Sequence, residues 1–184
     1  MISKLLYRLT ANRPCGLIEL DSGPYLERYY LGQLFGITFY LHRFVSSDSE
    51  RHLHNHPWRW GRALVLTGSY IEERAIDLCP HASDSGCVTE RRRIRWWNTV
   101  NHNDFHQIHE AEPNTWTLFF HSERVMINKG MASVFKGWGF LKQEYAPLRH
   151  AITVFEPFPS TSGKGWLEAP TGDKAGRVPH AYRR

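Results

Sequence analysis

Cysteine is scarce in this chain of 184 residues: Cys15, Cys79 and Cys87 are the only three, and none forms a CxxC pair. An odd count without paired spacing argues against a secreted disulfide framework and gives no zinc-finger spacing. A reducing, cytoplasmic compartment is the expectation. Long apolar runs are also missing. LVLTG at 64–68 and TLFF at 117–120 are among the longest, far short of the ~20 residues a membrane-spanning helix requires. MISKLLYRLTANR carries basic residues within its apolar stretch and has no small-residue cleavage site, so it does not read as a signal peptide. There is no Gly-rich phosphate loop, no GxSxG element and no internal repeat of fixed period.

What remains is the composition of one globular domain, 41% hydrophobic and 22% charged, with a formal charge of +5 that favours anionic partners. Ile2, Leu5, Leu6 and Leu9 follow i, i+3, i+4, i+7 spacing, which predicts a short amphipathic helix over 2–10, packed against a sheet and ended by Asn12-Arg13-Pro14. From 17 to about 142, β-branched and aromatic runs alternate with Gly, Pro, Asn and Ser. The predicted strands are 17–20, 25–31, 36–45, 51–56, 61–67, 69–77, 88–98, 104–110, 115–122 and 133–140. Gly68-Ser69 and Glu112-Pro113-Asn114 are both read as tight hairpin turns. The pattern predicts an all-β antiparallel sandwich or barrel. A domain over 1–156 is then followed by a Pro/Gly-rich basic arm over 157–184, either a loose tail or an arm across a partner.

Eleven histidines are the sharper oddity, five of them at 52, 54, 56, 102 and 106. Residues two apart on a strand share a face, so His52, His54 and His56 in RHLHNHPW would present imidazoles on one side. Asn101-His-Asn-Asp-Phe-His106 offers His102, Asp104 and His106 with the same alternation. Adjacent strands bringing these groups together would form a site suited to a divalent metal.

His54-Asn55-His56, with Gly68 downstream, resembles the first motif of the cupin superfamily, small antiparallel β-barrels of jelly-roll type. HNHPWRWGRALVLTGSYIEE, FHQIHEAEPNTWTLFF and GWGF look like a group of bacterial and phage cupin-like proteins with HxHPW, GxYxE, WTLF and WGF elements, over residues 36–142. The resemblance implies that His54, His56 and His106 ligate a metal, with Gly61 where the usual glutamate ligand stands. A three-histidine set follows, with an anionic substrate to offset the ion's charge. Asp104 or Glu72 as a further carboxylate ligand stays open, while His52 and His102 are read as second-sphere or solvent-facing. The resemblance makes iron the foremost ion, with zinc, manganese or nickel as alternatives.

Around such a centre, Trp58, Arg62 and His121 are the candidate substrate contacts, and Tyr70 and Glu72 the candidates for moving protons. Arg91, Arg93 and Arg95 share one face of a strand, where a solvated surface is the simpler reading. Three functions compete: an iron-dependent oxygenase acting on a small anion, a metal-dependent isomerase or hydrolase, and a non-catalytic module binding a small molecule or nucleic acid. A homodimer through residues 1–10 or 157–184 is a further expectation.

Overall fold

The computed structural model describes residues 1–47, 52–77, 88–129, 132–135, 138–145, 151–158 and 168–180. Cys79 and Cys87 lie outside them, while Cys15 is buried as a free thiol. One helix, α1 (Ile2–Leu9), precedes β1 (Cys15–Leu20), β2 (Gly23–Leu34), β3 (Ile37–Phe44), β4 (Trp60–Thr67), β5 (Tyr70–Asp77), β6 (Val88–Ile94) and β7 (Trp97–Asn101). Then come β8 (His106–Ala111), β9 (Thr115–His121), β10 (Met126–Lys129), β11 (Ala132–Phe135), β12 (Trp138–Tyr145) and β13 (Ala151–Phe158). The described residues are thus mostly antiparallel β-sheet with one short α-helix. No described helix is long and apolar enough to cross a membrane.

A six-stranded sheet in the order β1-β2-β3-β9-β4-β7 faces a three-stranded sheet, β6-β5-β8, and two hairpins, β10-β11 and β12-β13, complete the described strands. The layers are joined by one core: Leu26, Phe44 and Val65 from the large sheet meet Tyr70, Ile94 and Ala111 from the small one. These sheets do not close into a barrel, which corrects that part of the expectation. The two turns read from sequence explain the layering. Gly68-Ser69 links β4 to β5, and Glu112-Pro113-Asn114 links β8 to β9, so each carries the chain between sheets instead of closing a hairpin. Gly68 sits at φ +78°, and a Cβ there would overlap the Thr115 hydroxyl. Gly68→Ala is therefore expected to cost roughly 2–4 kcal/mol from backbone strain plus overpacking, measurable by urea unfolding.

Three other expectations shift. Residues 52–58 form isolated bridges, at His54 and Trp58, in place of a strand over 51–56. The predicted 88–98 strand divides into β6 and β7, which belong to different sheets, and 133–140 divides between β11 and β12. The helix does pack on the large sheet, but through Leu6 and Tyr7; Ile2, Leu5 and Leu9 of the expected stripe remain mostly exposed. Tyr7 turns inward because two guanidinium groups cap its ring, Arg43 at 4.7 Å and Arg177 at 3.7 Å.

The proposed boundary at 157 falls inside β13, whose Pro157 and Phe158 pair with Gly139 and Trp138. Residues 170–178 dock on the chain's own outer sheet face: Cys15 N–H donates to Pro170 O, and Gly172 N–H to Arg13 O. Val178 N–H donates to Glu27 Oε1 at 2.7 Å, and Arg43 Nη1 donates to Val178 O at 2.6 Å. Glu27 and Arg43 are 0% and 1% exposed and pair at 3.0 Å, with Tyr29 Oη donating to Glu27 Oε2. A wholly buried ion pair thus pins the segment after residue 170.

Candidate metal centre

The HNH segment is positioned by its backbone. His54 N–H donates to His106 O at 2.9 Å and His106 N–H returns to His54 O at 3.0 Å. On the other side, Leu141 N–H donates to Leu53 O, Asn55 N–H to Gly139 O, and Gly139 N–H to Asn55 Oδ1. The segment is therefore stitched between β8 and β12, a clasp that substitutes for the expected strand and still turns both histidines inward. His54, His56 and His106 each bring one ring nitrogen within 4.8 Å of the others.

The donors suit a divalent ion. His56 Nε2 stands 2.9 Å from His106 Nε2, and two nitrogens each about 2.1 Å from one ion at a right angle would stand about 3 Å apart. His106 Nδ1 lies 2.8 Å from Glu72 Oε1. Glu72 is wholly buried and accepts from Asn98 Nδ2 at 2.8 Å, Arg74 Nη2 at 3.0 Å and Arg92 Nε at 2.8 Å. Burial pushes its carboxyl upward, but the His106 hydrogen bond, then Asn98 and Arg74, outweigh this and hold it well below the usual carboxylate range. An ionised carboxylate accepts only, so His106 Nδ1 is the donor to Glu72 and Nε2 is the ring atom that faces the cluster. This is the carboxylate–histidine arrangement that fixes a metal-binding tautomer. Burial, followed by the neighbouring His54 and His106, keeps His56 well below its ordinary range, hence neutral and able to ligate at pH 7.

The cluster opens on a cavity of about 100 Å³ between the sheets, lined by apolar and aromatic side chains with a few polar groups among them. Trp58 lines it and stacks on His56 at 4.5 Å. Tyr70 also lines it, and burial holds its hydroxyl well above the ordinary range, so it remains a donor. The position of the usual family glutamate is Gly61, where a Cβ would stand 3.0 Å from the Phe119 ring. No acidic side chain lines the cavity among the described residues.

Other candidates fall elsewhere. Glu72 lies behind His106 with both oxygens taken, outside the three-histidine cluster. Arg62 is exposed, its guanidinium 4.8 Å from the Trp60 ring; Gly61 and Ala63 line the cavity, so period two turns residue 62 outward. His121 stacks behind Trp58 at 4.2 Å and is not among the lining groups. Asp104 is engaged by Arg74 and by Asn101 N–H, and His52 is exposed. Arg91 and Arg93 pair with Glu73 and Glu112 on the rim, while Arg92, on the opposite face, reaches Glu72. Sequence reading missed Arg28 and His42, which line the cavity; Thr117, on the strand face it shares with Phe119, lines it as well. Glu27 and Arg28 are adjacent charges on one strand, and alternation alone does not reveal which of them faces the ligand.

Burial holds His121 down to about 4 from 6.5. A folded-state value below the unfolded one means that the unfolded chain binds more protons in between, so stability falls as pH drops from about 6.5 toward 4. His121→Phe, which keeps the stack on Trp58, is expected to flatten the decline of Tm over that window in thermal scans; an unchanged slope would oppose this account.

No protein-family model and no curated protein matches the sequence. Solved structures with partial likeness have the cupin fold. A mannose-6-phosphate isomerase-like protein of Ralstonia eutropha shares 16% identity at a TM-score of 0.43, covering 57% of this chain and 91% of that one. HEPD of Streptomyces albus, with 2-hydroxyethylphosphonate and Fe(II) bound, shares 12% at 0.43, covering 60% and 24%. Fe(II)-HppE with the alternative substrate (S)-1-HPP shares 12% at 0.42, covering 60% and 56%. The functional reading rests on this chain's own residues.

Proposed function

We propose that this chain is a mononuclear metal-dependent enzyme of cupin type, a non-haem iron oxygenase acting on a small anionic substrate, with His54, His56 and His106 as the ligands. The observation that carries the reading is the 2.9 Å approach of two Nε2 atoms, one of them on a ring whose far nitrogen is tied to a buried carboxylate. Bound iron would supply open positions for substrate and dioxygen. Three neutral imidazoles leave its charge uncompensated, which selects an anion for the cavity.

The protein's part is positioning and exclusion. Glu72 orients His106, Trp58 braces His56, and the Phe119 ring against Gly61 closes the direction from which a carboxylate ligand would otherwise approach. Tyr70 offers a hydrogen-bond donor in the cavity. With both Glu72 oxygens occupied, a hydrolase or isomerase would find no carboxylate base there.

The test is anaerobic loading with Fe(II), followed by oxygen uptake across a panel of small carboxylic acids. Uptake that depends on one acid and disappears in His106→Ala supports the oxygenase. Turnover without oxygen by the zinc or manganese form would replace it with the isomerase or hydrolase reading.

A further inference from the structure

Across the large sheet, Arg28 stands directly opposite His42, and His42 directly opposite Thr117, so β2, β3 and β9 present the three side chains as one row. Residues facing one another in register share a face, and here that face is the cavity wall, since all three line it. The row is polar within a mostly apolar enclosure. Arg28 Nε donates to His42 Nε2 at 3.2 Å, which makes His42 a neutral acceptor that aims the guanidinium. His42 is itself buried and stacked on Phe119 at 4.8 Å.

Thr117 supplies an independent observation. It is 1% exposed, and its Oγ1 has no hydrogen-bond partner among the described residues. A buried hydroxyl left unsatisfied is destabilising, and this one belongs to a residue that lines the cavity. Arg28 is also the one cationic side chain lining the cavity among the described residues. A single guanidinium, one hydroxyl donor and about 100 Å³ of space match a small singly charged planar anion better than a bulky dianion.

We propose that Arg28 and Thr117 form the seat of a small monocarboxylate, in the cavity that His54, His56 and His106 open on. The inference deepens the metal-dependent reading and rests on it for the ligand's second anchor. Arg28 clasps the carboxylate, Thr117 donates its hydroxyl hydrogen to it, and the apolar wall receives the remainder of the molecule.

The probes are propionate and its neutral isostere propionamide, titrated into the cobalt(II)-loaded protein and followed by the cobalt visible spectrum, with calorimetry of the metal-free protein in parallel. Propionate is expected to bind and propionamide to bind far more weakly. Arg28→Gln should weaken propionate at least about 10-fold, Arg28→Lys should recover part of it, and Thr117→Val should weaken it about 5-fold with Thr117→Ser restoring it. All four variants should retain cobalt. Equal binding of acid and amide, or propionate affinity unchanged in Arg28→Gln and Arg28→Lys, would overturn the seat while leaving the metal centre standing. A protein that takes up no cobalt, yet binds propionate through Arg28 by calorimetry, would instead overturn the metal reading and keep the seat.

Discussion

Glu72→Gln is expected to lower metal affinity about 10–100-fold and to cost about 3–5 kcal/mol of stability. Oε1 accepts from His106, Asn98 and Arg74, and Oε2 from Arg92. An amide has one oxygen and one NH₂, so whichever way it turns, donors face donors. Arg74 retains Asp104, but Arg92 loses its charged partner. With the amide oxygen turned toward the three donors at the Oε1 position, His106 keeps only a neutral acceptor in place of the carboxylate. Urea unfolding and competitive metal titration measure the two effects separately. A variant as stable and as metal-avid as wild type would show that the carboxylate neither anchors the sheet nor orients the ring.

Arg43→Ala carries the other large effect. It leaves Glu27 buried and without its guanidinium partner, a loss of about 3–5 kcal/mol for a broken internal ion pair. It also removes the donor to Val178 O and one of the two cations on the Tyr7 ring, leaving Arg177. Hydrogen exchange should rise first over residues 170–178, and limited proteolysis should cut near them before the core strands are attacked. Uniform loss of protection across the chain would instead mean that the pair holds the whole sheet and not the docked segment in particular. The metal centre, on the opposite sheet face, should keep its affinity in whatever fraction remains folded.

The sequence was most legible where a pattern has one physical meaning. β-Branched and aromatic runs bounded by Gly, Pro, Asn and Ser located β3, β4, β5 and β9 to within a residue or two, and the HxH spacing brought His54 and His56 to one cluster although the segment is held by bridges and not by a strand. It was least legible where several partners satisfy a residue. Glu72 reads as a catalytic or ligating carboxylate until Asn98, Arg74, Arg92 and His106 are seen around it. Arg62 stands one residue from the cavity and faces out, while Arg28 lies remote in sequence and faces in. The helix stripe misled because apolar spacing does not register a tyrosine whose ring binds two guanidinium groups. Gly68-Ser69 was placed correctly as a turn, but local chemistry does not state which sheet the next strand joins.

The most direct test is metal content per chain, by mass spectrometry of the elements, in wild type, His54→Ala, His56→Ala, His106→Ala and the control His109→Ala, whose ring lies near Glu73 and outside the cluster. Wild type and the control are expected to hold about one ion per chain, and each of the three cluster variants to lose most of it while remaining folded by circular dichroism. Equal occupancy in all five proteins would contradict the assignment of His54, His56 and His106 as a metal centre.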